Sequence, residues 1–171
     1  MNFLAAALLL AALPLQAEGP PRFKVVDIVF RIEDIETQVR SLAVKETNTE
    51  LRIELAADVL FDFDKANILP RAEETLSQVA EVIRERSKGS ARIEGHTDSK
   101  GGDAYNRRLS LQRGESVAGW LRKQQGLADT DYVVAGFGAT RPVEPNSKPD
   151  GSDDPAARQK NRRVEIILSK R

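Results

Sequence analysis

The stretch from Ile93 to Val117, IEGHTDSKGGDAYNRRLSLQRGESV, carries the pattern on which the interpretation of the whole chain depends. It predicts the end of a strand, a glycine-containing loop and the first half of a helix that begins near Ala104. At about 100° per residue, this helix has one apolar face formed by Leu109, Val117, Trp120 and Leu121. Asn106 and Arg113 fall in the middle of that apolar face. An arginine in such a place needs a carboxylate, or a ligand that carries one.

Asp98 is the nearest candidate partner for Arg113 in the sequence, because it lies in the loop that leads into the helix. Two interpretations are open at this point. Asp98 and Arg113 form a structural ion pair, or they form the two halves of a site for a ligand that carries both charges. The choice between them decides what the protein binds.

The composition excludes some classes of protein. The chain has 171 residues, enough for one compact domain with some additional elements. Its 26 basic and 26 acidic side chains cancel, which argues against a nucleic-acid-binding protein. No apolar run approaches the roughly 20 residues of a transmembrane helix. There is no cysteine, so the chain folds without disulfides.

The first 17 residues predict a secretory signal peptide that is cleaved after Ala17, because Leu4 to Leu15 is almost entirely Leu and Ala. An uncleaved anchor is the alternative. We expect three parts: a signal peptide at 1–17, an N-terminal β extension at 18–50 and a binding domain at 51–171.

The predicted elements alternate between strands and helices. The predicted strands are Phe23–Ile35 (with a helix as the alternative), Gln38–Lys45, Glu50–Ala56, Val59–Phe63, Ser90–His96, Tyr132–Gly138 and Arg162–Leu168. The second and third of these are expected to form an added hairpin that covers a sheet edge. The predicted helices run from Pro70 to a cap at Gly89 and from about Ala104, capped by Asp103, to Gln125, and Ala139–Lys160 is a predicted loop.

These elements predict an α+β protein with a two-layer βαβαββ sandwich. The two helices pack on one face of a mixed sheet, and the last strand joins it antiparallel. The N-terminal β extension is added to this core.

Several motifs follow one another in an order typical of a known family. They are Val59-Leu60-Phe61-Asp62-Phe63-Asp64-Lys65-Ala66, Gly95-His96-Thr97-Asp98, Tyr105-Asn106 through Leu109-Ser110 to Arg113, Gly136-Phe137-Gly138 and Asn161-Arg162-Arg163-Val164-Glu165-Ile166. With them the chain resembles the OmpA-like peptidoglycan-binding domain over about Leu51 to Arg171. Each motif alone is weak, but their order and spacing together are specific.

The resemblance implies non-catalytic binding of peptidoglycan in the periplasm of a Gram-negative bacterium, through meso-diaminopimelate of the stem peptide. Asp98 and Arg113 match the pair that grips the free amino-acid end of this residue. The remaining matched positions divide into two groups. Thr97, Asn106 and Leu109 line the same pocket, whereas Asp62, Phe63 and Arg162 are peripheral.

The chemistry of the ligand agrees with this assignment. The side-chain end of diaminopimelate carries an ammonium and a carboxylate on one carbon, so a site for it needs an acid and a base close together. Asp98 would accept from the ammonium and Arg113 would donate to the carboxylate. The start of the helix supplies backbone N–H groups.

Other functions find less support in the sequence. The chain has one histidine, His96, and no cysteine, which argues against a metal site. An enzyme such as a peptidoglycan hydrolase is disfavoured, because no base and nucleophile pair is evident and no cofactor motif is present. A structural protein that binds an outer-membrane or other envelope protein is the main alternative, and it is compatible with peptidoglycan binding.

Overall fold

The computed structural model describes residues 42–170. The predicted signal peptide and the predicted strand at 23–35 lie outside the described residues. The division of the chain at residues 17 and 50 stays a prediction.

The described residues form five strands, four α-helices of four to twenty residues and one 3-10 turn. In chain order the elements are β1 (Leu42–Glu46), β2 (Glu50–Ala56), α1 (Ala57–Leu60), the 3-10 turn Pro70–Ala72, α2 (Glu73–Arg86), β3 (Ser87–His96), α3 (Asp103–Arg122), β4 (Asp131–Gly136), α4 (Pro155–Asn161) and β5 (Arg163–Lys170). None of these helices is long and apolar enough to cross a membrane.

The strands form one mixed sheet in the order β1-β2-β5-β3-β4. β5 lies between β2 and β3 and is antiparallel to both, whereas β3 and β4 are parallel. The predicted α+β class with a mixed sheet and an antiparallel last strand is confirmed. The last strand in sequence occupies the centre of the sheet, so the chain around residue 162 lies close to the ends of β2 and β3.

The core lies between one face of the sheet and helices α2 and α3. Alternate residues of the strands point into it, as the period of two requires. The fully buried core side chains include Ile53, Leu55, Leu76, Val79, Ile83, Ile93, Val117, Leu121, Ile166 and Leu168. This packing fixes the position of α3 against β3 and β4 and therefore the position of every side chain on its inner face.

Two glycines allow α3 to approach the ends of β3 and β4 closely. A Cβ at Gly95 would lie 2.0 Å from the backbone oxygen of Ser110, and one at Gly136 would lie 2.5 Å from the backbone nitrogen of Leu111. Any side chain at either position would therefore push the helix away from the sheet.

The predicted strand Val59–Phe63 is wrong, because Ala57–Leu60 is a short helix. Ala57, Leu60 and Phe61 are the buried residues of this segment. Their spacing of three and four is that of a helical turn, whereas a strand would have buried alternate residues. β2 takes the place of the first core strand. It pairs with β5 as well as β1, so it is an integral part of the sheet, not an added cover.

The ends of the helices also differ from the prediction. α2 ends at Arg86, and Gly89 is not its cap: Ser87 accepts from the Gly89 N–H at 3.0 Å in an irregular start of β3. α3 begins at Asp103 with Gly102 before it as the cap, and it ends at Arg122. The predicted loop Ala139–Lys160 contains helix α4 in its last third. Asp154 caps that helix by accepting from the Ala157 N–H at 3.0 Å.

Candidate functional site

Helix α3 buries the two polar residues of its apolar face, as the periodicity predicts. Asn106 is 3% exposed and Arg113 is 6% exposed. Arg113 Nε donates to the carbonyl oxygen of Lys65 at 3.0 Å, and its guanidinium lies 5.3 Å from the centre of the Phe61 ring. No carboxylate oxygen of residues 42–170 lies within 4.0 Å of its nitrogens. Arg113 is therefore a buried cation whose charge has no direct counter-ion in the described part of the chain.

The interpretation of Asp98 and Arg113 as a structural ion pair is wrong. Asp98 is paired with two other arginines, Arg162 at 2.8 Å and Arg158 at 3.2 Å, and both nitrogens approach its Oδ2. Its Oδ1 accepts from the Lys100 N–H at 2.9 Å. Asp98 thus accepts hydrogen bonds from Arg162, Arg158 and the Lys100 N–H, and Arg113 is not among its partners.

The pKa values of the two groups reflect this difference. Burial alone would raise the pKa of Asp98, but the hydrogen bonds from Arg162, the Lys100 N–H and Arg158 outweigh it, so the pKa is lowered. Burial lowers the pKa of Arg113, and the negative charges of Asp58 and Asp64 offset only part of this effect. An arginine remains protonated at neutral pH in any case, so the site holds both charges.

The loop between β3 and α3 is held in shape by side chains on either side of it. Asn106 Nδ2 donates to the carbonyl oxygen of Lys100 at 2.9 Å, which ties the loop to the helix. The Thr97 hydroxyl donates to the carbonyl oxygen of Asp98 at 3.0 Å, and the Thr97 N–H donates to Gly138 at 2.9 Å. Thr97 and Leu109 are both buried. Thr97 and Asn106 therefore shape the loop that presents Asp98, whereas Leu109 is a buried residue of α3.

Arg162 lies beside Asp98, in the turn between α4 and β5. Besides Asp98, its guanidinium contacts Asp58 through Nη2 at 3.2 Å and Nε at 3.4 Å. These contacts raise the pKa of Arg162 although burial opposes the charge. Asp58 was not among the predicted site residues, and it lies close to Arg162 because β5 pairs with β2.

Arg158 was not among the predicted site residues either. It lies on α4, where its guanidinium contacts Asp98 and forms two hydrogen bonds with Asp153, at 2.9 and 2.7 Å. The signal for this helix was present in the sequence, since Asp154 followed by Pro155 is typical of a helix start.

Asp62 and Phe63 lie apart from the hydrogen bonds around Asp98. Asp62 is exposed and pairs with Lys65 at 2.9 Å, and Phe63 is 92% exposed. Their loop nevertheless borders the site, because its Lys65 carbonyl accepts from Arg113. The same loop contacts α3 again where the Tyr105 hydroxyl donates to Asp64.

His96 lies at the end of β3 with Glu94 and Glu165, and the three offer ligand atoms within 4.8 Å of one another. Each carboxylate, however, is already paired with arginines, as in the contact of Glu94 with Arg141 at 3.3 Å. Those positive charges oppose a divalent cation. Burial and the charge of Arg163 lower the pKa of His96 to about 4, so its ring is neutral at physiological pH.

The arrangement can therefore bind a small zwitterion or a carboxylate. Arg113 offers a desolvated guanidinium, and hydrogen bonds between charged groups are stronger in such surroundings. Asp98 lies one loop away with a lone pair on Oδ1 beyond the one that the Lys100 N–H uses.

Comparison with known proteins agrees with the fold and identifies the family. The model of the OmpA family matches residues 60–158, which include all eight predicted site residues except Arg162. The outer-membrane lipoprotein YfiB of Pseudomonas aeruginosa is 34% identical, over 73% of this chain and 73% of its own length. The peptidoglycan-binding protein ArfA of Mycobacterium bovis is 33% identical, over 65% of this chain and 32% of its own length.

Among solved structures, the cell wall anchor of the type VI secretion system from Pseudomonas aeruginosa superimposes with a TM-score of 0.64 and 27% identity. The match covers 76% of this chain and 88% of that one. Several curated relatives are much longer proteins, of which the matched region makes up between 13% and 55%. The shared part is one domain, and the activities of the whole relatives do not follow from it.

Proposed function

The chain belongs to the OmpA family, and we propose that it binds peptidoglycan at the cell envelope through the free end of meso-diaminopimelate in the stem peptide. In this role it docks an envelope component to the cell wall. Arg113 donates to the carboxylate of that end, and Asp98 accepts from its ammonium. Thr97, Asn106 and Leu109 shape the pocket.

The observation that carries the proposal is the buried, charged Arg113 without a carboxylate partner in the described part of the chain. Leaving a buried cation unpaired costs several kcal/mol, so a fold that keeps one at a site gains when a carboxylate arrives. The ligand supplies that carboxylate, whereas Asp98 is already held by Arg162 and Arg158.

The expected affinity is modest. Hydrogen bonds to charged groups contribute about 1.5–3 kcal/mol each, and part of this is lost in ordering the ligand. A few such bonds correspond to Kd values of roughly micromolar to millimolar. A polymer that presents many copies of the ligand needs no more.

Binding without catalysis fits the chemistry of the site. The one histidine, His96, is 1% exposed and has no hydrogen-bond partner among residues 42–170, so it is poorly placed to serve a hydroxyl nucleophile as its base. The release of soluble muropeptides from sacculi incubated with the pure protein would contradict this part of the proposal.

Calorimetric titration with two stem tripeptides tests the proposed ligand. One tripeptide carries meso-diaminopimelate in its third position and the other carries lysine, which has the ammonium but lacks the side-chain carboxylate. We expect the diaminopimelate peptide to bind at least about tenfold more tightly, because only its side-chain end carries a carboxylate for Arg113 next to the ammonium for Asp98. Equal affinities would overturn the assignment. Arg113→Gln should remove the difference between the two peptides.

A further inference from the structure

We infer that Arg158 is a specificity-determining residue of this site: it competes with the ligand's ammonium for Asp98 and so weakens the preference for a zwitterionic end over a plain carboxylate. The inference rests on the proposed function and adds a residue of α4 to it. Its evidence is the set of contacts around Asp98.

Arg158 is firmly held in this position. Its side chain is 16% exposed, and Asp153 fixes the guanidinium with two hydrogen bonds. One remaining nitrogen, Nη1, reaches Asp98 Oδ2 at 3.2 Å. The hydrogen bond to Asp153 contributes most to the raised pKa of Arg158, and the hydrogen bond to Asp98 raises it further. Arg158 therefore keeps a partner even if Asp98 turns to another cation.

Two positively charged side chains compete for the single carboxylate of Asp98. Arg158 and Arg162 both approach one oxygen of a carboxylate whose side chain is only 10% exposed. Asp153 and Asp58 balance part of the arginine charge, but both guanidinium groups donate to the same Asp98 oxygen and so occupy the acceptor that an incoming ammonium would need. Like charges a few ångströms apart in a partly buried site repel one another, so each arginine lowers the affinity for an ammonium while favouring a carboxylate.

The two arginines differ in what their removal would do. Arg162 makes the shorter contact with Asp98 and also pairs with Asp58, which ties it to α1. Without Arg158, Asp98 would keep Arg162 and the Lys100 N–H, so it would stay ionised and oriented. Removing Arg158 therefore exposes a lone pair of Asp98 to the ligand without dismantling the site.

The test compares meso-diaminopimelate with pimelate, which has the same chain and carboxylates but no ammonium groups. NMR titration of the amide signals gives both Kd values in the millimolar range. We expect Arg158→Gln to raise the ratio of the pimelate Kd to the diaminopimelate Kd by about fivefold over the unmodified protein, since one charged hydrogen bond and one repulsion change together. Arg158→Lys keeps the charge and should keep the ratio near that of the unmodified protein.

Lys160→Gln is the matched control, because Lys160 lies on the same helix and pairs with Glu144, away from Asp98. It should leave the ratio unchanged. An unchanged ratio in Arg158→Gln, or an equal loss of affinity for both ligands, would overturn the inference while leaving the proposed function intact. If the unmodified protein binds neither ligand, the proposed function fails and the inference fails with it.

Discussion

At the scale of single residues, the buried polar groups of this protein fall into two kinds. His96, Glu94 and Glu165 form a cluster in which the carboxylates are paired with arginines, so the charges are satisfied within the fold. Arg113 is different, since its only described polar contact is a backbone carbonyl. The first kind is paired within the fold, whereas the second would gain a counter-ion from the proposed ligand.

The buried neutral His96 makes stability depend on pH. Its pKa is about 4 in the folded protein and 6.5 in the unfolded chain, so the unfolded state takes up a proton first as the pH falls. The stabilisation is fully present above pH 6.5 and is lost between there and about pH 4, a change of about 3 kcal/mol. Urea unfolding at several pH values measures it. His96→Gln should flatten the slope above pH 5, and an unaltered slope would contradict this account.

The sequence predicted the burial of Asn106 and Arg113 correctly, because helical periodicity depends only on local spacing. It did not reveal the partners of Asp98. Arg162 is 64 residues away and Arg158 is 60 residues away. Contacts at such separations follow from the position of β5 in the sheet, which local patterns do not contain.

At the scale of elements, the site depends on how closely α3 packs on the sheet. Gly95 and Gly136 remove the side chains that would hold the helix away from the strand ends. Gly114 serves the same contact from the helix, where a Cβ would lie 2.8 Å from Val134 Cγ1. A shift of the helix would move Arg113 relative to the loop that carries Asp98.

Two glycine-to-alanine variants distinguish the steric effect of a Cβ between α3 and the sheet from the effect of alanine on the backbone alone. Gly95→Ala should lower the free energy of unfolding by about 3 kcal/mol, because its Cβ meets the backbone of Ser110 at 2.0 Å. Gly119→Ala, in α3 itself, has nothing within 4 Å and should raise stability by up to about 1 kcal/mol. Denaturant unfolding of both variants measures the difference, and similar effects in the two would contradict the packing argument.

Helix α4 is short, so its cap matters. Asp154→Ala removes the hydrogen bond to the Ala157 N–H and should cost about 1 kcal/mol. Because α4 leads directly into Arg162, which holds Asp98 in place, the variant should also bind sacculi more weakly. Substituting Asp150, whose side chain bonds only within its own exposed turn, is the control. Equal binding by the two variants would show that α4 does not position the site.

The two short helices could not be predicted from the spacing of apolar residues. α1 and α4 have four and seven residues, too few for a clear periodicity. The segment around α1 was predicted as a strand, since Val, Leu and Phe favour strands. The long helices α2 and α3 were predicted because three or more turns repeat the same apolar face.

At the scale of the whole molecule, the sheet order brings together four distant segments. The loop at 61–68, the loop at 97–102, the inner face of α3 and the turn from α4 into β5 all meet at one end of the sheet. The central place of β5 causes this, because it puts Arg162 beside the ends of β2 and β3. The fold thus concentrates arginines and aspartates at this end, whereas the chain as a whole has no net charge.

Co-sedimentation with sacculi that contain diaminopimelate tests the central claim most directly. Arg113→Gln and Asp98→Asn are compared with Arg107→Gln, an exposed arginine of the same helix, and with Asp129→Asn, an exposed aspartate. Circular dichroism establishes that each variant is folded. We expect Arg113→Gln to bind at least about tenfold more weakly and free meso-diaminopimelate to displace the unmodified protein. Folded Arg113→Gln and Asp98→Asn variants that sediment as fully as the two controls would contradict the account.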